Sequence, residues 1–168
     1  MKEMHSHCGY CGNSFQEGAT WPRRCSNCGS KSYLNPLPVA VVLLPMGDGI
    51  LLIRRGTEPA LGTLTLPGGY IDAGETWQEA ASRELGEETG IKIPADDISL
   101  YDVMNGLDDT LVIIGVAPLQ ERQLFRQFRS AETLELVLIE EPMDLGFPMH
   151  TRVVERYFRE RRSTTCRS

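Results

Sequence analysis

The chain has 168 residues, 41% of them hydrophobic, enough for one domain with a real core plus a small appended module. No apolar run approaches the roughly 18–20 residues that a membrane span needs, and residues 1–10 show no apolar signal-peptide stretch, so a cytoplasmic location without a membrane partner is expected. The net charge of −6 is uneven: residues 1–37 hold four basic residues against two acidic ones, residues 148–168 hold six arginines against two glutamates, and the stretch between carries −12. An acidic centre repels phosphate backbones, so nucleic acid is not an expected partner, and it suits a protein that gathers divalent cations.

Residues 1–35 are rich in Gly, Ser, Asn and Cys and have too few apolar residues for a core of their own. Cys8, Cys11, Cys25 and Cys28 form two C-x2-C knuckles, each followed by Gly and separated by thirteen residues. In a cytoplasmic setting this pattern predicts metal rather than disulfides. Four thiolates make a closed tetrahedral Zn²⁺ site that supplies folding energy and leaves no open position for catalysis. His5 and His7 are alternative ligands, read first as polar chain, and Cys166 is read as an idle tail thiol. Asn35-Pro36 and Pro38 mark a boundary. The expected organisation is a zinc ribbon over 1–35, a second domain over 36–162 and a disordered tail over 163–168.

In the second domain, 39–44 is a continuous apolar run that predicts a buried strand. Residues 46–49 read as a hairpin turn into a strand over 50–54, followed by a loop over 56–63. A short strand over 64–66 is expected to stop at Pro67-Gly68-Gly69. Thr76 is the predicted N-cap of a helix reaching about Glu88, with Glu79 completing a capping box and Gly90 supplying a left-handed stop. A strand pair over 98–104 and 110–117 follows, then a strand over 134–139. The last element, from 149 to about 161, is a predicted helix with Val153, Val154, Tyr157 and Phe158 on its apolar face and Arg152, Arg156 and Arg159 on a basic flank.

The chemistry is concentrated between Gly69 and Ile91. Glu84, Glu87 and Glu88 stand at i, i+3 and i+4 of the predicted helix, so they share a face. Glu84 follows Ala80 by one turn, and Glu88 lies near the row of Ala81 and Leu85, so two of the three fall within or beside the apolar stripe. Clustered carboxylates on a half-buried face repel one another unless a cation sits among them. Mg²⁺, which prefers oxygen ligands and is commonly shared with phosphates, is the economical answer.

Gly69, Glu75, Arg83, Glu84, Leu85, Glu87, Glu88, Gly90 and Ile91 fill every fixed position of G-x5-E-x7-R-E-U-x-E-E-x-G-U, where U is bulky and aliphatic. On this match the chain resembles the Nudix hydrolases. The resemblance implies an α/β fold, an α/β/α sandwich around a mixed sheet, and hydrolysis of a pyrophosphate bond with Mg²⁺ or Mn²⁺. It implies Glu84, Glu87 and Glu88 as metal ligands, Arg83 as the residue that orients a glutamate, Gly69 beside the metal through its backbone, and Glu75 as support for the turn into the helix.

The substrate must be read from residues outside the box. The NADH pyrophosphatases of this family also carry a zinc ribbon, but the SQPWPFPxS-like segment they show after the box is replaced here by Pro94-Ala-Asp-Asp-Ile-Ser-Leu-Tyr-Asp. The sequence is more similar to zinc-ribbon Nudix proteins like the plant ADP-ribose/FAD pyrophosphatases. Cys25-Ser-Asn-Cys-Gly, Tyr33-Leu-Asn-Pro, Leu52-Ile-Arg-Arg, Gly62-Thr-Leu-Thr-Leu-Pro-Gly-Gly-Tyr and Glu132-Thr-Leu-Glu carry that similarity. A small nucleotide of the FAD or ADP-ribose type is thus the expected substrate, with NADH as the alternative. A homodimer is left open. Arg54 or Arg55, at a strand end, is expected to face the substrate, with strand alternation allowing only one. Glu132 or Glu135 is a further carboxylate for metal or base. Tyr70, Trp77, Tyr101 and Phe147 are weighed as base-stacking residues against core positions. The rival classes are a nucleotide-sensing module acting through its ribbon, which the intact box disfavours, and an isoprenyl diphosphate isomerase.

Overall fold

The computed structural model describes residues 5–165, in two compact units that divide after Pro36. In the first unit, β1 (Arg23–Arg24) and β2 (Lys31–Ser32) make a short antiparallel ladder that carries the second knuckle between them.

The second unit is built on seven strands among the described residues. They are β3 (Leu37–Met46), β4 (Gly49–Arg55), β5 (Leu64–Thr65), β6 (Gly68–Tyr70), β7 (Ser99–Asn105), β8 (Thr110–Val116) and β9 (Thr133–Ile139). Their order is β5-β4-β3-β8-β7, with β6 added beside β3 and β9 beside β4. The sheet is mixed: β3 and β8 run parallel, and the other pairings are antiparallel.

Alternation along β3 assigns the two faces. Ala40, Val42 and Leu44 pack with Ala80, Ala81 and Leu85 of helix α1 (Trp77–Thr89). Val41 and Leu43 pack with Met149, Val153, Val154 and Phe158 of helix α2 (Pro148–Thr165). A strand buried on both faces reads as an unbroken apolar run, which is how 39–44 appears in the sequence. The result is the expected α/β/α sandwich. Leu85 and Leu43 are fully buried, and truncating such a leucine to alanine costs about 2–5 kcal/mol.

Helix α1 is capped as its sequence predicts. Thr76 Oγ1 accepts from Glu79 N at 3.2 Å, Glu79 Oε2 accepts from Thr76 N at 2.7 Å, and Gly90 closes the helix in the left-handed region with φ 73°. Losing such an N-cap costs about 1 kcal/mol.

Two expectations are corrected. Pro67-Gly68-Gly69 does not end the pairing: residues 68–70 form β6 against residues 39–41 of β3. The glycines permit it, because a Cβ on Gly68 would lie 2.3 Å from Ala40 O. At the other end, α2 runs to Thr165, so residues 163–165 are helical rather than a loose tail. Neither Gly nor Pro interrupts there, and Ser163 Oγ donates to Arg159 O at 3.0 Å, continuing the helical surface. The rest of the tail, Cys166 included, lies outside the described residues.

Candidate active site and metal centres

The second half of α1, the loop before the helix and β6 are tied together by Arg83. Its Nε and Nη2 donate to Glu75 Oε1 and Oε2 at 2.8 and 3.0 Å, and Nη2 also donates to Tyr70 O at 3.1 Å. Nη1 donates to Glu84 Oε1 at 2.7 Å and to Glu87 Oε2 at 3.3 Å. The Arg83 hydrogen bonds hold the Glu75 carboxyl below its ordinary value, and Glu75 in turn keeps Arg83 firmly protonated.

Glu84 and Glu88 are buried, whereas the Glu87 side chain is 61% exposed. Glu88 Oε2 accepts from Gly68 N at 2.7 Å. Glu84 lies flat against Gly69, where an added Cβ would meet Oε1 at 2.5 Å. Burial pushes the Glu88 carboxyl up to about 8, against the pull of the Gly68 N–H, with Glu84 and Glu132 adding to the rise. Burial also raises Glu84, opposed by Arg83. Two carboxyls held out of water against their own charge are a poor arrangement without a cation and a good one with it. The donors are all oxygen, which suits Mg²⁺ or Mn²⁺.

A cleft of about 190 Å³ opens on the α2 face of the sheet. Val39, Val41, Leu66, Val112 and Met149 give it apolar walls, with Arg55, Tyr70, Asp108, Phe147 and His150 among its polar and aromatic lining. Gly68 and Gly69 line it too, so β6 touches the cleft with the same residues that meet Glu84 and Glu88. Arg55 lies over the Phe147 ring at 5.5 Å, and its charge acts on both Glu88 and His150.

Of the two arginines ending β4, Arg55 lines the cleft. Arg54 donates to Glu135 Oε1 at 2.7 Å and to Gly62 O at 3.0 Å, so Arg54 and Glu135 occupy each other and neither lines the cleft. A register shift in the β4–β9 ladder falls between Arg54 and Arg55. Glu132 is the acidic residue of that region whose charge reaches Glu84 and Glu88. Of the aromatic candidates, Tyr70 and Phe147 line the cleft. Trp77 packs on the α1 face of the core, and Tyr101 is bound to Glu160 and Arg156. His150 is absent from the sequence reading. Its only sequence signal is that it is the one histidine beyond residue 7.

In the first unit, Cys8, Cys11, Cys25 and Cys28 bring their sulfurs within 4.8 Å of one another. Cys8 and Cys28 are 3.8 Å apart, and Cys11 and Cys25 are 3.6 Å apart. A tetrahedral site with Zn–S bonds of about 2.3 Å has sulfur–sulfur edges of about 3.8 Å, so the cluster fits Zn²⁺. The two knuckles repeat one backbone design: Gly12 N donates to Cys8 O and Gly29 N to Cys25 O, each at 2.9 Å. Hydrogen bonds from Ser30 pull the Cys28 thiol down to about 6, and backbone N–H groups of Tyr10 and Cys11 lower Cys8. His7 bonds to Ser6 and His5 stacks edge-on to Trp21, so neither joins the cluster.

Residues 34–145 match the family model of the NUDIX domain. Over 90 residues the chain is 37% identical to the NAD-capped RNA hydrolase NudC of Escherichia coli O1:K1 / APEC, which takes in 53% of this chain and 35% of that protein. The match thus spans about a third of the length of these relatives. The fold is similar to that of a NUDIX hydrolase from Nitrosomonas europaea, with a TM-score of 0.72 at 24% identity, covering 94% of this chain and 93% of that one. It is also similar to a bifunctional NMN adenylyltransferase/ADP ribose pyrophosphatase from Francisella tularensis complexed with AMP and a Mn ion. There the TM-score is 0.59 at 21% identity, over 76% of this chain and 42% of that one. Among the described residues no helix is long and apolar enough to cross a membrane. With the family model covering 112 residues that include the whole glutamate helix, the chain belongs to the Nudix hydrolases.

Proposed function

We propose that the chain cleaves the pyrophosphate bond of a nucleoside diphosphate linked to a second organic group, with FAD and ADP-ribose as substrates. The observation that carries this reading is the position of β6, whose Gly68 and Gly69 meet the buried Glu84 and Glu88 carboxyls and also line an apolar cleft. Phosphates at that junction would lie beside the carboxylates, with an attached ring in the cleft.

In this reading Glu84, Glu87 and Glu88 hold Mg²⁺ or Mn²⁺, with the Gly69 backbone beside them. The bound cation supplies charge to the phosphates and lowers the pKa of water for attack on phosphorus. Glu132, whose charge acts on Glu84 and Glu88, would be the carboxylate to accept a proton from the attacking water. Arg83 holds Glu84 and Glu87 in place, and Arg55 meets phosphate oxygens from the cleft side. At about 190 Å³ the cleft is smaller than the roughly 300–1,000 Å³ that encloses a whole drug-sized ligand, so it takes one ring system and leaves the other half of the substrate outside. The four cysteines of the ribbon hold one structural Zn²⁺.

A second reading, cleavage of a nicotinamide dinucleotide, is favoured by the 37% identity to NudC. Incubation with FAD, ADP-ribose and NADH in Mg²⁺, followed by chromatography of products, tests both readings. The expected products are AMP with FMN and AMP with ribose 5-phosphate. Cleavage of NADH at least tenfold more efficiently than of both others would replace the first reading with the second. Binding without hydrolysis of any of them would instead support a nucleotide-sensing module.

A further inference from the structure

His150 sits in the first turn of α2, 5% exposed, at the inner wall of the cleft. Its Nδ1 accepts a hydrogen bond from Leu66 N at 3.2 Å. An imidazole nitrogen that accepts from a backbone N–H carries no proton of its own, so the proton of the neutral ring is on Nε2. Among the described residues no hydrogen bond engages Nε2. His150 lines the cleft, so this N–H is the donor left to it for a ligand there.

The surrounding side chains fix what this donor can meet. Phe147 packs edge-on against the imidazole, with ring centroids 5.1 Å apart. Arg55 covers that phenyl ring, and burial, with the Arg55 charge adding to it, disfavours a second proton on His150. Val41, Leu66, Val112 and Met149 give the cleft apolar walls, and Tyr70, Asp108 and Thr110 line it with them. Against the apolar walls a phosphate or a ribose hydroxyl group would lose its water with little to replace it. A flat heteroaromatic ring loses little and brings a ring nitrogen or a carbonyl oxygen to the donor.

We propose that His150, through its neutral Nε2–H, is a specificity-determining residue that donates a hydrogen bond to an acceptor atom on the ring system of the nucleotide half held in the cleft. The inference rests on the pyrophosphatase reading for the identity of the ligand, but not for the existence of the donor. His150 selects rings that present an acceptor at that depth and works against rings that present an N–H there, because two opposed donors cannot pair.

Two substitutions separate this role from a structural one. In His150→Asn the amide oxygen can still accept from Leu66 N, but the Nε2 donor is lost. In His150→Gln the amide nitrogen reaches the place of Nε2, so the donor is kept. KM and kcat are measured on whichever dinucleotide is hydrolysed fastest, and AMP is used as an inhibitor to read binding without chemistry. His150→Asn is expected to raise KM about five- to thirtyfold, and the AMP inhibition constant with it, the size expected for one lost buried hydrogen bond. Its kcat should fall less than about threefold, and His150→Gln should recover most of the loss. Ring ¹⁵N spectra of the wild-type protein should show the Nε2–H form, with its proton signal moving when AMP is added.

Unchanged KM in His150→Asn, or an equal loss in both variants that tracks a fall in melting temperature, would overturn the proposal. So would a ring proton on Nδ1, or an Nε2–H signal that AMP leaves unmoved while AMP inhibits. If no dinucleotide is hydrolysed, the pyrophosphatase reading fails, and the ¹⁵N titration still decides the donor.

Discussion

Arg83 and Glu75 face each other fork to fork, with Nε–Oε1 at 2.8 Å and Nη2–Oε2 at 3.0 Å. The pair anchors the guanidinium so that Nη1 is delivered to Glu84 and Glu87. Bidentate pairs of this kind fix geometry as well as charge. Replacing Arg83 by Lys removes the fork, and a single ammonium cannot reach Glu75, Glu84, Glu87 and Tyr70 O together. We expect kcat to fall about ten- to hundredfold in Arg83→Lys and by a similar factor in Glu75→Gln. The double variant should be little worse than either single one, because the two residues act as a unit. Fully additive losses in kcat/KM would show separate roles.

Glu87→Gln and Glu88→Gln each keep the shape of the side chain and remove a carboxylate. Each should lower kcat at least about a hundredfold, the scale of losing one preorganised electrostatic group. Folding should change little, since Glu87 is exposed and the Glu88 carboxyl gains nothing from ionising in the absence of a cation. Near wild-type turnover in both variants would remove these residues from the metal site.

Gly69→Ala tests the contact between β6 and Glu84. The new methyl would lie 2.5 Å from Glu84 Oε1 and 2.6 Å from its Cδ, so the carboxyl must shift. A kcat loss of about tenfold or more is expected, in line with the cost of misplacing a catalytic group by about 1 Å. The Mg²⁺ concentration for half-maximal rate should rise. An unchanged Mg²⁺ dependence would place Glu84 outside the metal shell.

Stability without metal should depend on pH through two buried groups of opposite sign. The Glu88 carboxyl, raised from 4.5 to about 8 by burial, contributes stability that is fully present below about 4.5 and is lost as pH rises through about 8. His150 is lowered from 6.5 to about 3 by burial and by Arg55. Its contribution is present above about 6.5 and is lost as pH falls through about 3. Thermal melts in chelator should therefore steepen on the acid side from His150 and decline toward pH 8 from Glu88. Glu88→Gln should flatten the second slope and His150→Asn the first. An alkaline slope that persists in full in Glu88→Gln would falsify the assignment to that carboxyl.

Elemental analysis of freshly purified, reduced protein should find one zinc per chain. Cys28→Ala should release it and unfold the ribbon, because that segment has few apolar residues to bury without the metal. Absence of zinc from the wild-type protein, or full retention in Cys28→Ala, would exclude a four-thiolate site.

Much of the glutamate helix was legible because its determinants are local. Thr76, Glu79 and Gly90 act within one turn of their partners, and the spacing of Glu84 and Glu88 from Ala80, Ala81 and Leu85 fixes which side of the helix they share. The same holds for the knuckles, where Gly12 and Gly29 turn the chain back onto Cys8 and Cys25 within four residues. Strand β6 was not legible, because Pro67-Gly68-Gly69 carries the signature of a stop, and only the close approach of β3 makes a strand opening on two glycines favourable there.

The sequence by itself determined the clustering of carboxyls and thiols and the two-sided burial of β3, since helix period, strand alternation and motif spacing are properties of neighbouring residues; the family resemblance carried by the motif implied the sandwich. Tertiary structure alone decided which charges meet the cleft. Strand alternation allowed either Arg54 or Arg55, and the pairing of Arg54 with Glu135 across β4 and β9 leaves Arg55 beside Phe147. His150 meets Leu66, 84 residues away in the chain, only because α2 docks on the sheet. Sheet register and helix docking create such encounters between distant segments, and nothing in the spacing of those segments along the chain encodes them.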